Sequence, residues 1–376
     1  MTVPLNPVTA VTAPDPYPYY AQLVAERPFG WSEELGVWVA ASAAAVSAVL
    51  AEPGLRVRPA AEPVPAGIVD TAAGDIFGRL VRMTDGPAQR HLKEAVRRCL
   101  ATPDPDRLAA IAAERTRLAL RGPTPSRDAM FGVPAYTVAV LCGLAGHEAE
   151  QATRLISDFV ACIPASATVE QQAGAALAAE GLLGLIGPAL DERRDGLLGA
   201  LAGAARPGTD RAALLANGVG LLSQTFDATA GLTGGLLVTL GRYADAEHRR
   251  PAELPAAARE VARYDAPIQN TRRFAVADVT VAGVRIAAGE AVLVVLAAAN
   301  RDPAGNPEPD AFRPGRHRPA VFTFGAGGHG CPGASIAVGI ATAVVGELLA
   351  AGIRPEDLRP SGHLPLTNAR IPVLHP

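Results

Sequence analysis

The chain has 376 residues and a mass of 38.6 kDa, with a net charge of −3, a pI near 6.2, 49% hydrophobic residues and only 5% aromatics. Its arginines are scattered rather than gathered in blocks, which excludes a nucleic-acid footprint and leaves open only local basic patches for an acidic protein partner. A core made mainly of Ala, Leu and Val favours helices packed closely on small side chains, in one large domain or in two or three average ones.

The N-terminus, "MTVPLNPVTAVTAPDPYPYY", lacks the basic n-region and unbroken apolar run of a signal peptide, and residues 1–14 read as a short arm. Residues 27–42 read as a β-hairpin with Gly36 at the turn and Val37, Trp38 and Val39 beyond it, followed by a Pro- and Ala-rich loop over 53–67. From about residue 87, "AQRHLKEAVRRCL", "DRLAAIAAERTRLAL" and "VPAYTVAVLCGLAG" carry helical spacing, with Pro and Gly at their ends. The stretch 163–172, "IPASATVEQQ", reads as a loop joining two helices.

The longest apolar stretches fall around 212–240. Asn217, Ser223, Gln224 and Asp227 interrupt them, so one long helix over 214–240 is expected rather than a membrane span, in a soluble, cytoplasmic protein. Alternating Val and Ile with Gly at the bends over 270–300 predict a small sheet, and helical spacing returns after Pro332 in "ASIAVGIATAVVGELLAAG". No repeat and no linker interrupts this mainly helical body.

The cysteines, Cys99, Cys142, Cys162 and Cys331, are widely spaced without CxxC pairs, which argues against a zinc site or a disulfide framework. Three read as small buried hydrophobes. The fourth lies in "FTFGAGGHGCPG", residues 322–333. A ligating thiolate needs nearby donors, and glycines let backbone N–H groups approach it; a helix opening near Pro332 adds the positive end of its dipole. With one cysteine and no second ligand cluster nearby, the candidate partner is a macrocycle that brings its own ligands, namely haem.

Phe324, Gly325, Gly327, His329, Cys331 and Gly333 match the pattern F-G-x-G-x-H-x-C-x-G, and this loop resembles the haem-binding loop of the cytochrome P-450 family. The resemblance runs from about residue 15 to 376. It implies a mainly α, single-domain cytochrome P-450 fold with small β-sheets over 1–376, binding haem b. By resemblance Cys331 is the proximal thiolate and iron ligand, His329 bonds a propionate, Phe324 packs near the sulfur, and Gly325 and Gly333 complete the loop. Glu260 and Arg263 stand as the family's E-x-x-R, with Arg316, in "AFRPGR" beside Phe312, as the third, structural member. Arg273, with Arg272 as the fallback, matches the arginine sent to a propionate. In "DGPAQRHLKEAVRR" the family's His and the Arg four residues later are replaced by Gln89 and Lys93; Lys93 still offers a cation, and His91 or Arg90 are possible compensations.

On the long helix, Gly220, Gln224, Asp227 with Ala228, Gly231 and Gly235 form a stripe of small and polar groups against which a flat ligand would lie. The family's (A/G)-G-x-(D/E)-T here reads Gln224, Thr225, Phe226, Asp227 and Ala228: the acid is present and the threonine is not. Thr229 is one residue on, rotated by about a hundred degrees. Catalytic roles are therefore expected of Asp227 and Gln224, with Ala228 and Thr229 marking the departure. Protons would pass through Gln224, Asp227 and water, or a substrate hydroxyl would fill the gap; hydrogen peroxide use and oxidative coupling are the alternatives.

The resemblance implies a monooxygenase acting on a small apolar or aromatic molecule in natural-product tailoring, a monomer supplied with electrons by a ferredoxin and ferredoxin reductase. A non-catalytic haem protein is a third reading, against which the retained acid speaks. Expected substrate contacts are Gln224, Thr225, Phe226 and Ala228, then Pro267, Ile268, Gln269 and Asn270, and Leu366, Thr367 and Asn368.

Overall fold

The computed structural model describes residues 5–164, 166–243 and 246–374. In chain order, α1 (Tyr17–Glu26), β1 (Phe29–Ser32), β2 (Val37–Ala40), α2 (Ala43–Ala51) and β3 (Leu55–Arg56) come first. A run of helices follows: α3 (Ala72–Arg79), α4 (Gly86–Leu100), α5 (Pro105–Ala119), the single turn α6 (Pro125–Arg127), α7 (Val133–Leu141), α8 (His147–Val160), α9 (Val169–Asp191), α10 (Leu197–Ala204) and α11 (Arg211–Arg242). The chain continues through α12 (Leu254–Tyr264), β4 (Thr271–Ala275), β5 (Val279–Val281), β6 (Val284–Ile286), β7 (Ala291–Val294), α13 (Leu296–Asn300), α14 (Ala334–Ala350), β8 (Pro360–His363) and β9 (Pro372–Leu374). The result is the expected class, mainly helical with small sheets.

Contacts divide the chain into two compact units: Met1–Ala61, Gly231–Cys331 and Leu349–Pro376 form the first, Glu62–Ala230 and Pro332–Leu348 the second. The first holds a five-stranded sheet ordered β1-β2-β7-β4-β3. Gly36 closes its hairpin at φ +61, a conformation that suits glycine. The sheet packs Val292 and Val294 against Val46 and Val49 of α2, while Leu293 and Val295 meet Tyr20 and Leu23 of α1. Two expectations change here. The 53–67 loop contains the edge strand β3, where Leu55 pairs with Ala275; two residues are too few to show alternation. The predicted strand run also ends early, because the alanine-rich Leu296–Asn300 turns into a helix. Asn300 anchors that turn, accepting from the Phe322 N–H at 2.6 Å and donating to Thr323 Oγ1 at 2.8 Å.

In the second unit α8 packs along α9, α4 against α10 and α5 against α7. Thr168 opens α9 with a reciprocal capping box to Gln171, so the stretch expected as a loop over 163–172 is helical from Val169; Ala165 lies outside the described residues. Among the described residues, the one helix long and apolar enough to cross a membrane, by length and composition only, is α9 and not the 212–240 run; 44% of its most apolar stretch is buried inside the fold.

Candidate active site

The cysteine loop belongs to the first unit. Gly325 and Gly327 take φ +66 and +61, and the loop closes on itself as Cys331 N–H donates to Phe324 O at 2.7 Å and Gly325 N–H to Phe322 O at 2.7 Å. A Cβ at Gly325 would come within 3.3 Å of His329 O, so the turn needs glycine for both conformation and space. This folding leaves Cys331 exposed, whereas Cys99, Cys142 and Cys162 are buried. Burial pushes the Cys99 thiol up to about 12 and raises those of Cys142 and Cys162 as well. Of the four, Cys331 alone is placed to act as a thiolate ligand. Among the described residues no group of three or more His, Cys, Asp or Glu side chains could hold a metal. A metal bound at Cys331 must bring its remaining ligands with it, which is what a haem does.

On α12, Glu260 is 3% exposed and Arg263 fully buried. Arg263 Nη2 and Nε donate to Glu260 at 2.6 and 3.1 Å, and its remaining N–H groups reach the carbonyls of Asn300, Pro309 and Ala311. Arg316 Nε joins them at 2.8 Å from Glu260 Oε1. Every charge in this triad is hydrogen-bonded, the condition under which a buried ion cluster is tolerated. Phe312, from the same later loop, stacks on Tyr243 with ring centroids 5.1 Å apart. Strand alternation in β4 turns Arg273 inward at 6% exposed and leaves Arg272 on the exposed side.

The segments 267–270 and 366–370 lie side by side. Gln269 N–H donates to Asn368 O at 2.8 Å, Asn270 Nδ2 to Thr367 O at 2.8 Å and Arg370 N–H to Pro267 O at 2.9 Å, while Ile268 bridges Ala369. The Gln269 side chain is engaged with the fold, donating to Ala266 O at 2.7 Å with no exposed surface. Thr367 and Asn368 are exposed and Leu366 half-buried. The network behind these segments left no sequence signal: Tyr17 OH and Arg370 Nε each lie 3.0 Å from Asp265 Oδ1, and Arg370 also bonds the carbonyls of Val11, Ala13 and Pro14. The three side chains, Tyr17, Asp265 and Arg370, are more than a hundred positions apart.

In the second unit, Gln89 is buried and Lys93 half-buried, one turn apart on the same side of α4. His91 is exposed and bonded to Arg206 Nη1 at 2.8 Å, and Arg90 is exposed. Two residues from both, His91 is turned by about two hundred degrees from the Gln89–Lys93 side, whereas Arg90 lies three residues before Lys93 and neighbours it on the helix surface. On α11, Asp227 and Ala228 are half-buried and Gln224 is exposed. Burial raises the Asp227 carboxyl above the usual carboxylate range, with Arg82 pulling the other way. Thr229 is fully buried and its hydroxyl has no hydrogen-bond partner; Thr225 Oγ1 bonds back to Leu221 O at 2.8 Å; Phe226 packs on Phe131 with centroids 5.1 Å apart.

The stripe expected to receive a flat ligand is shorter than its spacing implied. A Cβ at Gly220 would lie 2.9 Å from Leu80 Cδ2, one at Gly231 2.9 Å from both Arg370 O and Pro267 Cβ, and one at Gly235 3.3 Å from Val261 Cγ1. These glycines admit protein, and only Gln224, Asp227 and Ala228 keep accessible surface along the stripe. A separate hollow of about 420 Å³, lined by residues including Thr102, Arg107, Arg193 and Gly196, contains none of the expected site residues.

The chain is similar to cytochrome P450 proteins in sequence and in fold. The family profile "Cytochrome P450" matches residues 253–350. A beta-dihydromenaquinone-9 omega-hydroxylase of Mycobacterium tuberculosis is 36% identical over 143 residues, 37% of this chain and 29% of that one. A 20-oxo-5-O-mycaminosyltylactone 23-monooxygenase of Streptomyces fradiae is 36% identical over 150 residues, 39% of this chain and 36% of that one. The chain thus spans between 26% and 36% of the length of the curated relatives it matches. Among solved structures, cytochrome P450 CYP109Q5 from Chondromyces apiculatus is 25% identical with a TM-score of 0.78, covering 97% of this chain and 96% of that one. CalO2, 23% identical, gives 0.83 over 99% and 98%.

Proposed function

The chain belongs to the cytochrome P450 family, and from that premise we propose that it is a haem-thiolate monooxygenase oxidising a small apolar or aromatic molecule. The observation that carries the reading is the exposed Cys331 in its glycine loop, set against three cysteines whose burial holds them as thiols. Cys331 would hold the iron of a haem b, with His329, Arg273, Gln89 and Lys93 as the groups for its carboxylates. Phe324, Gly325 and Gly333 shape the loop, and Glu260, Arg263 and Arg316 lock the backbone of the same unit. The haem, when bound, supplies the oxidising chemistry.

The chain's own contribution is proton handling and substrate shape. Asp227 holds its proton to higher pH than an ordinary carboxyl, which suits a group that must donate one. Gln224, one turn earlier and exposed, extends the polar track. Thr225, Phe226 and Ala228, with Pro267, Ile268, Gln269, Asn270, Leu366, Thr367 and Asn368, are the proposed substrate contacts. Tailoring of a natural product is supported by the Streptomyces fradiae relative, named a monooxygenase of a tylactone. A ferredoxin and its reductase as electron donors, a monomeric state and a cytoplasmic location complete the proposal.

One observation favours a second reading. Position 228 has no hydroxyl, and the buried Thr229 does not supply one from the adjacent position. A substrate hydroxyl, hydrogen peroxide as the oxygen donor, or oxidative coupling would each relieve the need for that threonine. The separating experiment compares Asp227→Asn with wild type under dioxygen plus reductant and under hydrogen peroxide. Monooxygenation through Asp227 predicts about a 100-fold loss with dioxygen and a much smaller loss with peroxide. Equal losses in both regimes would remove Asp227 from proton delivery.

A further inference from the structure

Arg82 is a half-buried guanidinium of the second unit. It sits on the 3-10 turn Val81–Met83 between α3 and α4, and its Nε is closed off from solvent with no acceptor. Among the described residues the side chain makes no hydrogen bond and no ion pair. The side chain retains some accessible surface, through which a ligand can reach it.

Its place is fixed by α11. Asn217 Oδ1 accepts the Val81 N–H at 2.8 Å, and Asn217 Nδ2 donates to Arg79 O at 3.0 Å, so the backbone on both sides of Leu80 is tied to the helix. Leu80 in turn seats at Gly220, where any Cβ would come within 2.9 Å of its Cδ2. The backbone that carries Arg82 is therefore fixed against α11. The opposite charge that reaches it is Asp227, also on α11, and the two carry no ion pair between them. Burial raises the Asp227 carboxyl, with Arg82 pulling the other way. The neighbours in sequence on these elements, Leu80, Val81, Met83 and Phe226, are apolar.

A half-buried arginine whose Nε is closed off from solvent without an acceptor suits a planar anion with two oxygens. We propose that Arg82 binds the carboxylate of an acidic, otherwise apolar substrate. The assignment deepens the monooxygenase reading and rests on it, since it takes α11 to line the substrate space. Another source of the same chemistry is a haem propionate, and the experiment must separate the two.

The haem-loaded ferric protein, as wild type, Arg82→Leu and Arg82→Lys, is titrated calorimetrically with n-alkanoic acids of about eight to sixteen carbons and with their methyl esters. Haem content and the ferrous-CO spectrum are recorded on each preparation. The expected result is that wild type binds an acid at least about tenfold more tightly than its ester. Arg82→Leu should erase that preference without changing ester affinity or haem content, and Arg82→Lys should restore part of it. A wild type with no acid preference, or an Arg82→Leu protein that keeps one, overturns the proposal. So does an Arg82→Leu protein that loses haem while its loaded fraction still prefers acids, because the cation would then serve a propionate. A wild type lacking the thiolate CO band would defeat the functional reading instead, whatever the acid preference.

Discussion

Asp227 is a carboxyl whose surroundings favour its protonated form. Burial raises its pKa and the nearby Arg82 guanidinium lowers it, with burial the larger effect. If the protonated acid is the donor, turnover with dioxygen falls as pH rises through that raised pKa. Removing the cation in Arg82→Leu shifts the falling limb to still higher pH, and Asp227→Asn abolishes it. A pH–rate profile at saturating substrate reads both effects; superimposable profiles for wild type and Asp227→Asn would contradict the assignment. Helix rotation decides which neighbouring groups are within reach of a site. One residue of helix rotation, about a hundred degrees, takes Thr229 from the Ala228 side into the core, and two residues, about two hundred degrees, take His91 from the Gln89 side to the surface.

At the scale of elements, the glycines of α11 illustrate a pattern with two physical meanings. Small residues at three- and four-residue steps serve a flat ligand or a close neighbour equally well, and the structure gives Gly220, Gly231 and Gly235 close neighbours. Gly231→Ala is expected to destabilise the fold by about 1–3 kcal/mol, because the new methyl meets a carbonyl oxygen and a proline ring at 2.9 Å. Gly184→Ala, on α9 with nothing within 4 Å, should instead stabilise by up to about 1 kcal/mol. Urea denaturation of the two variants checks the pair; equal midpoint shifts would show that close packing at Gly231 is not the reason for that glycine. Elements with a strong local signal were legible in the sequence: the hairpin at Gly36, the long α11 and the turn of glycines before Cys331. Glu260 and Arg263 stand one helical turn apart and could be paired on spacing, but Arg316 entered only through resemblance. Arg82 and the Tyr17–Asp265–Arg370 network gave no signal, since their meaning comes from partners, or a lack of partners, that only the folded chain reveals.

At the scale of the whole molecule, composition carried the fold class further than it carried function. A core of Ala, Leu and Val with few aromatics is built as helices on small side chains, and the sheets are confined to the first unit. The groups assigned to function are drawn from both parts of the chain: Cys331, Arg273 and the Glu260 triad belong to the first unit, and Asp227, Arg82, Gln89 and Lys93 to the second. The proposed function turns on the thiolate of Cys331. The most direct test is therefore the ferrous-CO spectrum of the haem-loaded protein, for wild type, Cys331→Ser and a control, Cys162→Ala. Thiolate ligation by Cys331 predicts a strongly red-shifted Soret band in wild type and in Cys162→Ala, and its loss in Cys331→Ser. A red-shifted band that survives in Cys331→Ser, or a haem-loaded wild type that never shows it, would contradict the central assignment.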